Sequence, residues 1–507
     1  MEPFTWWNED QKKLAREIKE FVDGIVPRAE EAWWKREVPW DLIKAIAERG
    51  YFGVGVPKEY GGMELGVTGV TIATEEICRL PAIGEGAFVA SMIGGVHQVT
   101  AFGTEEQKAR FLPRVAQGEL GAVAVTEPFV GTDVAGIETT ARRDGDRYII
   151  TGKKRFITGA GIANRHMLYA RTSDDPEDVR RNQHLTGFIV ERGMPGFTVE
   201  KINELIGIDN MLNGYLNLDE VPVPVDNRIG GEGEGWRVVV SGFNYERILV
   251  GASSLGKLRE AIKAVIPYGQ RRIQFGRPTT ELPTNRFKIA DMFLQLKLAR
   301  LATYYSAHLL DLGGEAAVES SICKLYASDI LMQSSVDAVQ VMGGDGVTKF
   351  YPLERILRDA KINQIAGGTN EAMKLVIYRM GLREMAEDLK MPHRVRHEEL
   401  GVPIPTANRS AKQSQIDEDR LLKVLAEDYR VNPGLYMSRE DLKEEFDVDD
   451  EELDRVLVSL EQKRLVKLYR GRRGIELAKA TYEGLKKANP PEYYQWFPPR
   501  VRKEDIF

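Results

Sequence analysis

The chain has 507 residues, 43% hydrophobic and 29% charged, with a formal net charge of −6, the balance of a globular protein of about three or four domains. An acidic surplus argues against a chain that coats nucleic acid. Two distant cysteines, Cys78 and Cys323, make neither a disulfide framework nor a zinc site, so a reducing compartment and no metal are expected.

The N-terminal stretch MEPFTWWNEDQKK has no basic-then-apolar pattern of a signal peptide, and no run reaches the roughly 18 apolar residues of a membrane span; a cytoplasmic location is expected. Residues 1–119 read as helices, from DQKKLAREIKEFVDGIV and PWDLIKAIAERG. Residues 120–232 change period. Two alternating strands flank Asp144-Gly145, a strong hairpin signal, and MLYART, LTGFIVER, GFTVEKI and YLNLDEVPV read as further strands. The GGEGEGW turn loosely matches a dinucleotide fingerprint, but the Pro-punctuated DEVPVPVDN before it is no buried parallel strand. Residues 233–389 return to long helices. They end in KINQIAGGTNEAMKL, where Gly367 and Gly368 turn the chain and Thr369 caps a new helix. A polar linker, 390–416, leads to a last module, 417–507.

AVTEPFVGTDVAG at 124–136 and QVMGGDGVTKFYPLERILRDAK at 340–361, with KKRFITGAG, YERILVG and RRIQFGRP between them, resemble the acyl-CoA dehydrogenase family in order and spacing. The resemblance implies an α+β multidomain fold: an N-terminal α-helical domain, a middle β-barrel-like domain and a C-terminal four-helix bundle. It implies FAD as cofactor, an acyl-CoA substrate, a homo-oligomer (dimer or tetramer) and an electron-transferring flavoprotein as acceptor. Val125, Thr126, Gly131 and Thr132 would hold the flavin and its pyrophosphate, Phe156 and Thr158 would flank the ring, and Thr369 would cap the facing helix. Arg272, Phe275, Gln340 and Gly344 would reach the cofactor of a neighbouring subunit.

In many members of the family the position of Gly367 is the Glu that removes the substrate α-proton. The resemblance to the isovaleryl-CoA and long-chain branch moves that base to Glu246, and Gly367 would keep an oxyanion-stabilising N–H. Helical spacing reaches the same residue independently. Val239, Phe243, Glu246 and Val250 share one stripe, so Glu246 interrupts an apolar face and its pKa should rise. The bland reading of that carboxylate is an ion pair with an Arg from another helix. Arg247, Phe88 and Met92 are expected to touch substrate, the last two as lining of an acyl cavity.

The final module reads as three helices followed by a hairpin with a basic tip at Arg470, Arg472 and Arg473, an order resembling a winged helix. Its third helix begins DDEELD, which would repel phosphates; DNA is not the expected partner. A flavin-bearing, DNA-associated or regulatory protein of the same fold, with little dehydrogenase activity, is the alternative.

Overall fold

The computed structural model describes residues 3–81, 83–208, 212–385, 416–431, 434–471 and 474–488. All of the expected linker but Ile416, residues 489–507 of the last module, and Arg472 and Arg473 lie outside the described residues. The chain divides into two units, Met1–Ala386 and Glu387–Phe507.

The first unit opens with six helices: α1 (Glu9–Lys35), α2 (Trp40–Glu48), α3 (Gly66–Ile77), α4 (Ala90–Ile93), α5 (Val96–Phe102) and α6 (Glu105–Ala116). Reciprocal capping boxes start two of them, Asn8 with Gln11 on α1 and Thr104 with Gln107 on α6, each satisfying two N–H groups that have no helical partner. Leu14, Ile18 and Val22 form the buried stripe of α1. Helix α3 is buried nearly all round, Glu75 and Glu76 included.

Eight strands follow: β1 (Gly121–Ala124), β2 (Thr140–Asp144), β3 (Arg147–Ile157), β4 (Arg165–Arg171), β5 (Leu185–Glu191), β6 (Phe197–Ile202), β7 (Gly214–Pro224) and β8 (Arg228–Ile229), with the short α7 (Pro176–Arg180) between β4 and β5. The order is β6-β7-β3-β2-β4-β5-β8, and β1 pairs with β4. Among the described residues this path runs from β6 to β8 and makes the sheet of the expected middle β domain. The β2–β3 hairpin pairs Asp144 with Arg147, and Gly145 takes the left-handed conformation the tight turn demands (φ 63°). The glycine-rich stretch at 230–235 is preceded by β8, two residues antiparallel to β5, which is not a Rossmann start.

Long helices close the unit: α8 (Gly235–Arg271), α9 (Pro283–Asp311), α10 (Ala317–Met342), α11 (Leu353–Asn363) and α12 (Asn370–Glu384). Between α8 and α9 a two-stranded hairpin, β9 (Ile273–Gln274) and β10 (Arg277–Pro278), turns through Phe275 and Gly276, both at positive φ. No helix among the described residues is long and apolar enough to cross a membrane.

The second unit has its own core, built from Leu421, Leu425, Phe446, Leu453, Leu457 and Ile475 among others. Its elements are α13 (Glu418–Val431), β11 (Met437–Ser438), α14 (Arg439–Glu445), α15 (Asp450–Gln462), β12 (Val466–Gly471), β13 (Gly474–Ala480) and α16 (Tyr482–Ala488), with β13 central in the sheet. Arg470 is engaged by Glu461 of α15, and α15 starts with three acidic residues.

Candidate active site

Helix α8 carries the expected stripe. Val239 and Val250 are buried, Phe243 half-buried, and Glu246 is 9% exposed. Its carboxylate makes no hydrogen bond or ion pair with the described residues. Burial pushes its pKa up to about 7, although the nearby charges of Arg247 and Lys324 pull the other way. The bland expectation of an ion pair is therefore not met. Arg247 instead donates to Asn244 (3.2 Å) and to Ser321 of α10 (3.3 Å), leaving its Nε without a partner.

The turn between α11 and α12 meets this helix. Gly367 (φ 68°) and Gly368 (φ 92°) both take left-handed conformations. A Cβ on residue 367 would lie 3.7 Å from Glu246 Oε1 and 3.4 Å from Val250 Cγ2. The carboxylate of Glu246 thus lies where a side chain at 367 would begin. Thr369 caps α12, accepting from the Ala372 N–H at 3.2 Å.

Lys324, a residue sequence reasoning passed over, fixes that turn. Fully buried on α10, it donates to the carbonyls of Gln364 (3.1 Å) and Gly368 (2.6 Å) and to Asn370 Oδ1 (2.7 Å). Asp329, five residues on, accepts from Gln364 and Asn370, each at 2.7 Å. Burial lowers the Lys324 pKa to about 8, while the charge of Glu246 supports the protonated form. No local pattern in the sequence marks this clamp, whose partners lie 40 or more positions along the chain.

On the sheet side, the loop after β1 is anchored by a second missed pair. Lys154 of β3 donates to Glu127 Oε1 (2.7 Å) and to the Val125 carbonyl (3.2 Å), and Glu127 accepts the N–H groups of Glu138 and Thr139. The Arg155 N–H donates to the Thr126 carbonyl at 2.7 Å. Val125 is buried, Thr126 half-buried, and Gly131 and Thr132 are exposed on the loop. Phe156 is 48% exposed at φ 58°, an uncommon conformation for a bulky residue, with the Arg155 guanidinium 4.3 Å from its ring centroid. Thr158 Oγ1 accepts from Asn213 at 3.4 Å.

These residues fit a flavin dinucleotide: an aromatic face held open, an anchored loop of backbone and hydroxyl donors, and Gly131 with nothing within 4 Å of a Cβ. A cavity of about 380 Å³ elsewhere on the unit is lined by Tyr268, Arg272, Gln274, Met342 and Gly344. Arg272 has no ion-pair partner among the described residues, and Gly344 is open to close approach; an anionic group suits this place. Gln340 is exposed one turn before it, and Phe275 is 90% exposed at the hairpin tip. Phe88 and Met92 disappoint their expectation. Both are closed into the core, Phe88 against Phe52 with ring centroids 5.4 Å apart, so neither presents a face to an acyl group.

Comparison with known proteins bears on this geometry. The acyl-CoA dehydrogenase N-terminal, middle and C-terminal domain models match residues 8–119, 122–221 and 233–382. The chain is 36% identical over 373 residues to an acyl-CoA dehydrogenase of Bacillus subtilis (strain 168), covering 73% of this chain and 97% of that protein. A chain from the structure of the electron transferring flavoprotein of Acidaminococcus fermentans superposes with a TM-score of 0.72 at 35% identity, covering 75% of this chain and 100% of that one. The FAD complex of PigA superposes with a TM-score of 0.70 at 28% identity, covering 76% and 100%.

Proposed function

The chain belongs to the acyl-CoA dehydrogenase family, and from that premise we propose that Glu246 is the base that takes the α-proton of an acyl-CoA thioester. The protein is an oxidoreductase acting on CH–CH groups with FAD as its cofactor, and FAD-dependent acyl-CoA dehydrogenation is its reaction class.

One observation carries the assignment of the base: an unpaired, buried carboxylate with a pKa near 7 lies against Gly367, the place where a side-chain base would otherwise start. Near neutral pH such a group is part ionised and still basic enough to accept a proton from carbon. The α-proton is weakly acidic, so charge developing on the thioester carbonyl needs a donor. The N–H of Gly367 takes that part, in a turn that Lys324 holds from behind.

Bound FAD would supply the acceptor for the β-hydride. Val125, Thr126, Gly131, Thr132, Phe156, Thr158 and Thr369 would hold it in one subunit, and Arg272, Phe275, Gln340 and Gly344 would serve the cofactor of a second copy. The exposed Phe275 and Arg272, which has no ion-pair partner among the described residues, support a homo-oligomer, each being open to a second chain. Arg247, with a free Nε–H beside the base, serves the substrate. Electrons pass on to an electron-transferring flavoprotein. The second unit, acidic at the start of α15, serves protein contact.

Anaerobic titration of the flavin-loaded protein with a panel of acyl-CoA thioesters tests this reading. Loss of flavin absorbance with at least one thioester is expected; no bleaching by any of them overturns it.

A further inference from the structure

One buried charged group has no task in the chemistry above. Lys257 of α8, Glu85 of the π-helical turn Gly84–Val89, and Asp359 of α11 meet in the core: Lys257 Nζ lies 2.5 Å from Glu85 Oε1 and 4.0 Å from Asp359 Oδ2. Ser253 also donates to Glu85 Oε1, and Asn363 donates to the hydroxyls of Ser253 (3.2 Å) and Ser254 (3.0 Å). Asp359 accepts the Ile208 N–H. Glu85 Oε2, in contrast, accepts nothing from the described residues. The Glu85 side chain is 13% exposed although Ile83, Gly84, Gly86 and Ala87 around it are buried. This residual exposure leaves one carboxylate oxygen open to a group from outside the protein, and π-turns of this kind are frequent at functional sites.

The cluster adjoins the reaction site from two sides. Val250, Ser253, Ser254 and Lys257 continue the Glu246 stripe along α8, and Ser253 is about 10 Å further along the axis. Val250 already contacts the Gly367 position. From the sheet, a Cβ on Gly159, next to Thr158, would lie 3.3 Å from the Gly86 carbonyl oxygen and 3.5 Å from Ala90 Cβ. The turn that carries Glu85 backs onto the turn assigned to the flavin ring.

Burial sets the direction of the substrate. From Glu246 toward the start of α8 the helix surfaces, with Arg237 and Val240 exposed, whereas residues 248–259 are buried without interruption. The CoA arm must reach solvent and leaves toward Arg237. The acyl group then points to the closed end, where Ser253 and Glu85 stand.

We propose that Glu85, braced by Lys257 and Ser253, selects acyl groups that carry a hydrogen-bond donor, a hydroxyl or an ammonium, near their far end. An apolar tail seated there would strip water from Glu85 Oε2 and leave it unpaired, a costly state for a carboxylate. A donor-bearing tail satisfies it, and a carboxylate-ended tail is repelled. This inference rests on the acyl-CoA dehydrogenase reading and narrows its substrate class.

The test is the anaerobic rate of flavin reduction with hexanoyl-CoA, 6-hydroxyhexanoyl-CoA, 6-aminohexanoyl-CoA and adipoyl-CoA, in the wild-type protein and in Glu85→Gln and Glu85→Leu. A donor-ended thioester should exceed hexanoyl-CoA by about tenfold or more in second-order rate, because a site built to bond a donor rejects its absence. Adipoyl-CoA should be slowest. Glu85→Leu should invert the preference toward hexanoyl-CoA. Glu85→Gln, which keeps an oxygen but not the charge, should retain the hydroxyl preference and lose any ammonium preference. Hexanoyl-CoA reducing the wild-type flavin fastest would overturn this inference alone, without recourse to a variant. An unchanged order in Glu85→Leu would do the same. Failure of all four thioesters, and of the wider panel, would instead overturn the dehydrogenase reading.

Discussion

Glu75 of α3 and Glu246 of α8 are both buried carboxylates of the same unit, yet their surroundings drive them in opposite directions. Burial raises the pKa of each. At Glu75 the guanidinium groups of Arg300 (3.0 Å) and Arg259 (2.9 Å) and the hydroxyl of Tyr304 (2.7 Å) outweigh it and hold the carboxyl well below the usual range. Glu246 has cations near it but none in contact, so burial prevails. Burial alone does not make a base; withholding the partner does. Glu75 belongs to a network tying α1, α3, α8 and α9 together, while Glu246 has no such partner among the described residues, as the proposed base requires.

Exchanging each acid for its amide separates the two roles. Glu246→Gln should slow flavin reduction by an acyl-CoA about a thousandfold, within the usual range for loss of a general base, with FAD content unchanged. Glu75→Gln should leave that rate nearly intact. It should instead lower stability by about 3 kcal/mol in denaturant unfolding, because Arg300 and Arg259 lose a buried counter-charge. A comparable rate loss in Glu75→Gln would erase the contrast.

Titration sharpens it further. The folded pKa of Glu246 lies above the ordinary 4.5, so the folded state favours its proton. Its contribution is fully present below about pH 4.5 and is lost as the pH rises through 7, a swing of about 3 kcal/mol. Glu75 has the opposite sign: its depressed folded pKa gives stability above 4.5 that is lost only in acid. Glu246→Gln should therefore gain stability over wild type between pH 5 and pH 8, and kcat/KM of the wild type should rise with pH to a plateau above about 7. A flat difference across that range would contradict the assignment.

Smaller effects probe the turn. Lys324→Gln should cost about 2 kcal/mol, since the Gln364 and Gly368 carbonyls lose a buried donor. It should also move the acid limb of the pH profile upward by removing a charge that favours the Glu246 carboxylate. Gly367→Ala has room for its methyl but not the backbone for it, and about 1 kcal/mol of stability should go.

The sequence carried the features that follow from periodicity and turn chemistry. The β2–β3 hairpin, the Thr369 cap and the position of Glu246 on an apolar stripe each depend on residues close together along the chain. Contacts between distant segments were silent. Nothing in the sequence announces that Lys324 reaches across 44 positions to Gly368, that Lys154 pairs with Glu127 beneath the β1 loop, or that Arg247 turns to Ser321. Phe88 and Met92 failed for a related reason: helical spacing says which residues share a face, not whether that face meets a cavity or Phe52.

The removal of the α-proton can be followed apart from the redox step. Incubated in D₂O with an acyl-CoA that reduces the flavin, wild-type protein should exchange the substrate α-hydrogens for deuterium, read by mass spectrometry, and Glu246→Gln should not. Exchange by Glu246→Gln at the wild-type rate would place the base elsewhere.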